Sequence, residues 1–230
     1  MSEKEIVIDQ AYTEKLPDFK LGIIVAKVVT EKSKTPLIEV MNQLFTSLKE
    51  TLKVEQISQL KEIKAGRQAY RAFGKDPTKY RLSAEKLLRR ILKDEGLEPI
   101  NNVVDLSNVI SLKFHCPVGT FDYDKISGNV MLRAGEAGES YLSLGNQSLN
   151  LEGFPVFSDG IGAFGSTTSD SARTNVDKDT KMILLSIFGF EDQFDFDKAI
   201  AYAHELIQTH ANGEIVFSQM LEPKKELQLP

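Results

Sequence analysis

Apolar positions along the chain switch between two spacings. The opening carries short β-branched runs, Ile6-Val7-Ile8 and Leu21 to Val29, which predict strands. From Thr35-Pro36, with proline at the first helical position, Leu37, Val40, Met41, Leu44, Phe45 and Leu48 recur at helical spacing and predict one core-facing stripe. A second helical stretch runs through Ile57, Leu60 and Ile63 to about Phe73 and is closed by Gly74. Ser83 is expected to cap a third helix, with Leu87, Leu88, Ile91 and Leu92 inward, Arg89, Arg90 and Lys93 outward, and Gly96 at its end.

After Pro99 the character changes. Asn102 to about Lys113 reads as a short helix on which Asp105, Asn108 and Ser111 share a polar flank. Pro117 to Asp122 reads as a tight turn leading into a strand. Short strands are then expected at Asn129–Ala134, Ser140–Leu144, Pro155–Ser158 and Lys181–Phe188, punctuated by glycines. Asp195 to His210 is amphipathic, with Ile200, Ala203, Leu206 and Ile207 on one side, and Gly213 precedes a last strand through Ile215 and Phe217. Strands and helices come in blocks without regular alternation. The expected class is therefore α+β, mixed β-sheets flanked by helices, and not a doubly wound parallel sheet. An N-terminal α/β part, residues 1–98, and a second region, residues 99–230, are expected to pack as one globular unit.

Composition narrows this picture. At 230 residues the chain can bury a sizeable core without metal or disulfide staples, and its single cysteine, Cys116, excludes an intrachain disulfide. No run of about 18 apolar residues and no leader-like opening are present, so neither a membrane partner nor a signal peptide is expected, and the cytoplasm is the expected location. The net charge of -5 hides an asymmetry: Lys61 to Lys93 holds eleven Lys and Arg against three acids. A basic segment on an acidic body steers a polyanion to one face. Tyr70, Phe73 and Tyr80 are interleaved with these cations, a mixture that suits looped or single-stranded RNA. The candidate contacts are Arg67, Arg71, Lys75, Lys79, Tyr80, Arg81, Arg89 and Arg90. Aromatics plugged into the core beneath a solvated basic rim would leave the same pattern.

Several standard engines are missing: there is no Walker loop, no dinucleotide fingerprint and no helix with paired metal-binding histidines. His204 and His210 are six residues apart, and His204 lies beside an apolar stripe, so it reads as structural. Neither a metal nor a cofactor is expected. The richest constellation is the Pro99–Asp124 segment with Gly153 to Asn175 as its expected partner; within the Ser158 to Asp170 stretch, Gly160, Gly162 and Gly165 would let a ligand approach the backbone and Ser166, Thr167, Thr168 and Ser169 would supply hydroxyls. A plain flexible Gly/Ser loop is the competing reading.

Pro99-Ile100-Asn101-Asn102-Val103-Val104-Asp105-Leu106-Ser107-Asn108 resembles a stretch in the editing domain of the phenylalanyl-tRNA synthetase beta subunit. The likeness continues through Pro117, Phe121-Asp122, Asp124-Lys125-Ile126, Gly128, Arg133-Ala134, Gly138-Glu139, Leu144-Gly145, Ser158-Asp159 and the glycine-rich loop, over roughly Pro99 to Phe190. The Lys75-Asp76-Pro77-Thr78-Lys79-Tyr80-Arg81 loop is similar to that of stand-alone versions of the domain. The resemblance implies the fold of that domain, transfer RNA as partner through its acceptor end, and metal-free hydrolysis of a mischarged aminoacyl ester. Acceptor-end binding without hydrolysis, or small-molecule binding, are the alternatives. The pocket it implies comprises Ser107, Asn108, Ser111 and Gly119 with Gly162, Gly165, Ser166 and Thr167. Two family side chains are replaced: the histidine falls on Gly119 and a glutamate on Ser186. Synthetase activity is not expected of this chain. Without those two groups, a preference for tyrosine should give way to a small polar amino acid.

Overall fold

The computed structural model describes residues 4–223 and 227–229. Its strands are β1 (Lys4–Ile8), β2 (Lys20–Lys27), β3 (Val118–Asp122), β4 (Val130–Ala134), β5 (Ser140–Leu142), β6 (Ser148–Asn150), β7 (Pro155–Ser158), β8 (Ala163–Ser166), β9 (Met182–Gly189), β10 (Glu214–Leu221) and β11 (Leu227–Leu229). The α-helices are α1 (Gln10–Lys15), α2 (Thr35–Thr51), α3 (Lys61–Ala72), α4 (Ser83–Leu92), α5 (Asn102–Phe114) and α6 (Phe196–His210). The class is α+β, as the block pattern of the sequence predicts.

Two sheets carry the fold. One has the order β11-β1-β4-β7-β8, the other β10-β2-β9-β3, and β5 and β6 form a separate ribbon. Among the described residues β1 and β4 pair in parallel, and the other strand pairs are antiparallel. β2 lies between β10 and β9, so early residues sit at the centre of a sheet completed by the last third of the chain. Strands β2 and β9 are apolar on both faces because both faces are covered, and they therefore read as continuous runs without alternation. One core fills the side of this sheet toward the five-stranded sheet, around Phe121, Phe157, Phe164 and Phe188. A second lies on its other side beneath α2, α5 and α6, through Leu37, Val109, Ile110 and Leu206. A third packs α3 and α4 onto Leu112, Leu151, Phe154 and Val156.

Local expectations fail at three places. The stretch from Ile57 to Phe73 breaks at Leu60 into a 3₁₀ helix, Val54–Gln59, and α3. Ser83 is the first residue of α4 and makes no side-chain cap; its backbone N–H donates to the Thr167 carbonyl. The glycine-rich stretch is partly a strand: β8 pairs with β7, and Phe164, Gly165 and Ser166 are buried. Among the described residues no helix is long and apolar enough to cross a membrane.

Candidate functional site

Helix α5 is held at its start by the residues that open the Pro99–Asn108 stretch. The Asn101 side chain accepts from the Val104 N–H, the cap that satisfies an orphan donor of the first turn. The Asn102 amide donates to the carbonyls of Val29 and His210 and accepts from the Glu31 N–H, tying α5 to the ends of β2 and α6. Asp105 is fully buried, accepts from Ser33 Oγ at 2.5 Å and from the Ile100 N–H, and its carboxyl is raised by burial. Most of this stretch therefore builds the helix and its anchorage. Ile100, Val104 and Ser107 are its residues that face a cavity.

That cavity has a volume of about 310 Å³ and is otherwise lined by Val118, Thr120, Leu144, Asp170, Thr174, Asn175 and Val176. Its walls are aliphatic, with Ile100 and Leu144 at 66% and 54% exposed giving it an apolar rim. Its polar groups are few and have distinct hydrogen-bonding duties. Ser107 Oγ donates to the Val103 carbonyl at 2.8 Å and lies 2.7 Å from Thr120 Oγ1. With the single Ser107 proton engaged one turn back, the 2.7 Å contact has Thr120 donating to Ser107 Oγ, so Thr120 turns lone pairs and not a proton to the cavity. Asn175 Oδ1 accepts from Lys125 Nζ at 3.2 Å, so its NH₂ is the part left for the cavity; an ammonium can only donate, which fixes the amide's orientation. Asp170 is half-buried; one carboxylate oxygen accepts from the Ser166 N–H at 3.2 Å, and burial pushes its pKa up to about 7.

The other pocket candidates lie behind this wall. Asn108, one turn beyond Val104, is half-buried and outside the lining. Ser111 Oγ donates to the Cys116 carbonyl at 2.7 Å and is buried. Ser166 Oγ donates to the Ser169 carbonyl, and Thr167 Oγ1 lies 2.8 Å from the buried Tyr70 hydroxyl. Gly162 gives its N–H to Asp159, whose carboxylate is in turn held by Arg173 at 2.9 Å. Gly165 faces the Phe121 ring: a Cβ there would come within 2.4 Å of it. Gly119 is on β3, where alternation sends Val118 and Thr120 to the cavity and turns position 119 to the opposite face. Gly119 and Ser186 are direct cross-strand partners, and a Cβ on Gly119 would lie 2.8 Å from the Phe121 ring and 2.9 Å from Ser186 Oγ. The two replaced family positions thus form one corner, closed by Phe121. Thr120, Asp170, Thr174 and Asn175 lie within the two segments that the sequence pairs, but they were missed as lining residues because nothing local in sequence says which side chains of those segments face each other.

The basic segment divides by geometry. Glu85, fully buried on α4, accepts from Arg67 at 3.1 and 3.2 Å and from Arg89 at 2.9 and 3.1 Å, and Arg81 lies 3.9 Å away. Tyr70 and Phe73 are buried. Tyr80 packs edge-on against Phe154 at 5.1 Å, and Lys75 lies over both rings. Arg71, Lys79, Arg81 and Arg90 remain exposed. These helices also clamp the cavity's loop: Thr168 Oγ1 donates to the Arg81 carbonyl, the Ser83 N–H donates to the Thr167 carbonyl, Lys86 Nζ donates to the Thr168 carbonyl, and Tyr70 meets both threonines.

Cys116 is buried, which pushes its thiol up, and His204 lies 2.9 Å from Ser218 Oγ with its pKa lowered by burial. Both are packed into the fold. Among the described residues no three His, Cys, Asp or Glu side chains gather in a metal-holding arrangement.

Fold and site together define an α+β domain with a small aliphatic-walled cavity beside an exposed basic helical face. The family model for the B3/4 domain matches residues 65–213, and the chain belongs to that family. Among curated relatives, it is 27% identical over 198 residues to the phenylalanine–tRNA ligase beta subunit of Fusobacterium nucleatum, covering 83% of this chain and 24% of that protein. It is 40% identical over 65 residues to the beta subunit of the same ligase from Streptococcus pyogenes, 28% of this chain and 8% of that one. The chain thus spans about a quarter or less of these relatives. A solved N-terminal fragment of the phenylalanyl-tRNA synthetase beta subunit from Pyrococcus horikoshii superposes with a TM-score of 0.47 at 15% identity, over 98% of this chain and 54% of that one.

Proposed function

We propose that this protein binds transfer RNA and hydrolyses the ester of an amino acid wrongly attached to its acceptor end, acting on molecules charged elsewhere. The observation that carries this reading is the cavity itself. It is walled by segments within the B3/4 match and is large enough for an aminoacyl group, with an aliphatic wall and a few convergent polar groups. The curated relatives named above are ligases that join phenylalanine to transfer RNA, which supports RNA as the partner. The exposed Arg71, Lys79, Arg81 and Arg90 provide a face for its backbone. The Asn175 amide is the donor available to an oxyanion formed in the cavity.

The test is a deacylation screen of the purified protein against transfer RNA carrying Tyr, Ser, Ala or Thr. Hydrolysis should favour a small amino acid over tyrosine, because among the described residues no aromatic or imidazole side chain lines the cavity to receive a phenol ring. A clear preference for tyrosine would overturn that specificity. The absence of an imidazole from the described cavity lining favours a second reading, capture of the acceptor end without cleavage. Intact RNA binding with no hydrolysis of any ester would establish the second reading in place of the first.

A further inference from the structure

Resting on the hydrolase reading, we propose that Asp170 is the general base of the reaction. Three observations converge on it. It is the only carboxylate among the residues lining the cavity. One of its oxygens is pinned by the Ser166 N–H, and among the described residues no hydrogen bond is given to the other, which leaves an acceptor for water. Among the described residues no cation pairs with it: Lys125 is taken by Asp177, Asp122 and Asn175, and Arg173 by Asp159. The neighbouring carboxylate on α5, Asp105, is turned to Ser33 and the Ile100 N–H. The titratable side chain facing Asp170 is Tyr141 of β5, whose hydroxyl donates to the Ser169 carbonyl at 2.5 Å and whose pKa is raised by burial and then by the Asp170 charge. A carboxyl that titrates near 7 is matched to proton transfer at neutral pH, where an ordinary aspartate would be too weak a base.

The step balances without a metal or a co-reactant. The free oxygen of Asp170 takes a proton from a water held in the cavity, and the water oxygen bonds to the ester carbonyl carbon. The carbonyl electron pair moves to its oxygen, which meets the Asn175 NH₂. Collapse of the tetrahedral species breaks the bond to the ribose oxygen, and the proton on Asp170 passes to that leaving oxygen. One water is consumed, and the free amino acid and the uncharged RNA end are released. The histidine position is thus not needed for base chemistry, because the base stands on the other face of β3.

The experiment measures kcat/KM against pH for wild type and Asp170→Asn on seryl, alanyl and tyrosyl esters of one transfer RNA, with RNA affinity by filter binding and far-UV circular dichroism alongside. Wild type should rise with pH through an inflection near 7 and level off above it. Asp170→Asn should lose about a hundred- to ten-thousand-fold in rate and lose the inflection, with RNA affinity unchanged. A variant that keeps the rate and the inflection overturns the assignment while hydrolysis stands. A wild type that cleaves no ester at any pH overturns the hydrolase reading, and the assignment with it. Should Asp170→Asn fail to fold, Asp170→Glu decides: a displaced inflection supports Asp170 as the base, and an unmoved one overturns it.

Discussion

Asp170 couples the cavity to stability as well as to chemistry. Its folded-state pKa, about 7, lies above the ordinary aspartate value of 3.8 that holds in the unfolded chain, so the folded protein holds a proton that the unfolded chain releases. Below pH 4 the carboxyl is neutral in both states and its burial costs little. As the pH rises from about 4 through 7, this favourable difference is lost, with an upper bound of roughly 4 kcal/mol at about 1.4 kcal/mol per pH unit. Asp170→Asn should therefore match wild type in urea unfolding at pH 4 and exceed it at pH 8. Equal stabilities at pH 8 would mean that the carboxylate is solvated where it stands. Ser107 shows a different limit at the same scale. It lines the cavity, as the Pro99–Asn108 stretch suggested, yet its proton is spent on Val103. Seeing that Thr120 in turn spends its proton on Ser107 needs the register of β3 against α5, which no local pattern supplies.

At the scale of elements, the buried carboxylate on α4 organises the basic segment. Glu85 joins α3 to α4 through Arg67 and Arg89, with every group desolvated or nearly so. Glu85→Ala leaves two partly buried guanidinium groups without their anion and should destabilise by about 3 to 5 kcal/mol in urea unfolding. A loss below about 1 kcal/mol would show that the arginines relax into solvent. The sequence marked Glu85 only as one of three acids in a basic run, since a carboxylate four residues before an arginine usually signals a surface pair. Helices α2, α5 and α6 were legible because each presents a long stripe at helical period to one side of a sheet. Strand β8 was not, because Gly165 suggests a loop until the Phe121 ring that occupies its missing side chain is seen. The clamp from Tyr70, Arg81, Ser83 and Lys86 onto Thr167 and Thr168 was equally invisible, being made of contacts about 80 to 100 positions apart.

For the whole molecule, a basic face on a chain of net charge -5 predicts binding that depends on salt and direction. Replacing Arg71, Lys79, Arg81 and Arg90 with Ala should flatten the log–log salt dependence of RNA affinity by about 0.7 to 0.9 per lost phosphate contact. Arg67→Ala should leave that slope unchanged and lower stability, because its guanidinium serves Glu85. The opposite pair of results would relocate the RNA face. The placement of β2 has a consequence for the chain as it is made. Its six consecutive buried residues, Leu21 to Ala26, leave the ribosome well before its partners β9 and β10, which begin at Met182 and Glu214. At about 5 to 20 residues per second, this apolar strand waits roughly ten seconds or more with both edges unpaired. Newly made chains stalled before residue 182 should therefore be the species most prone to aggregate and most dependent on chaperones.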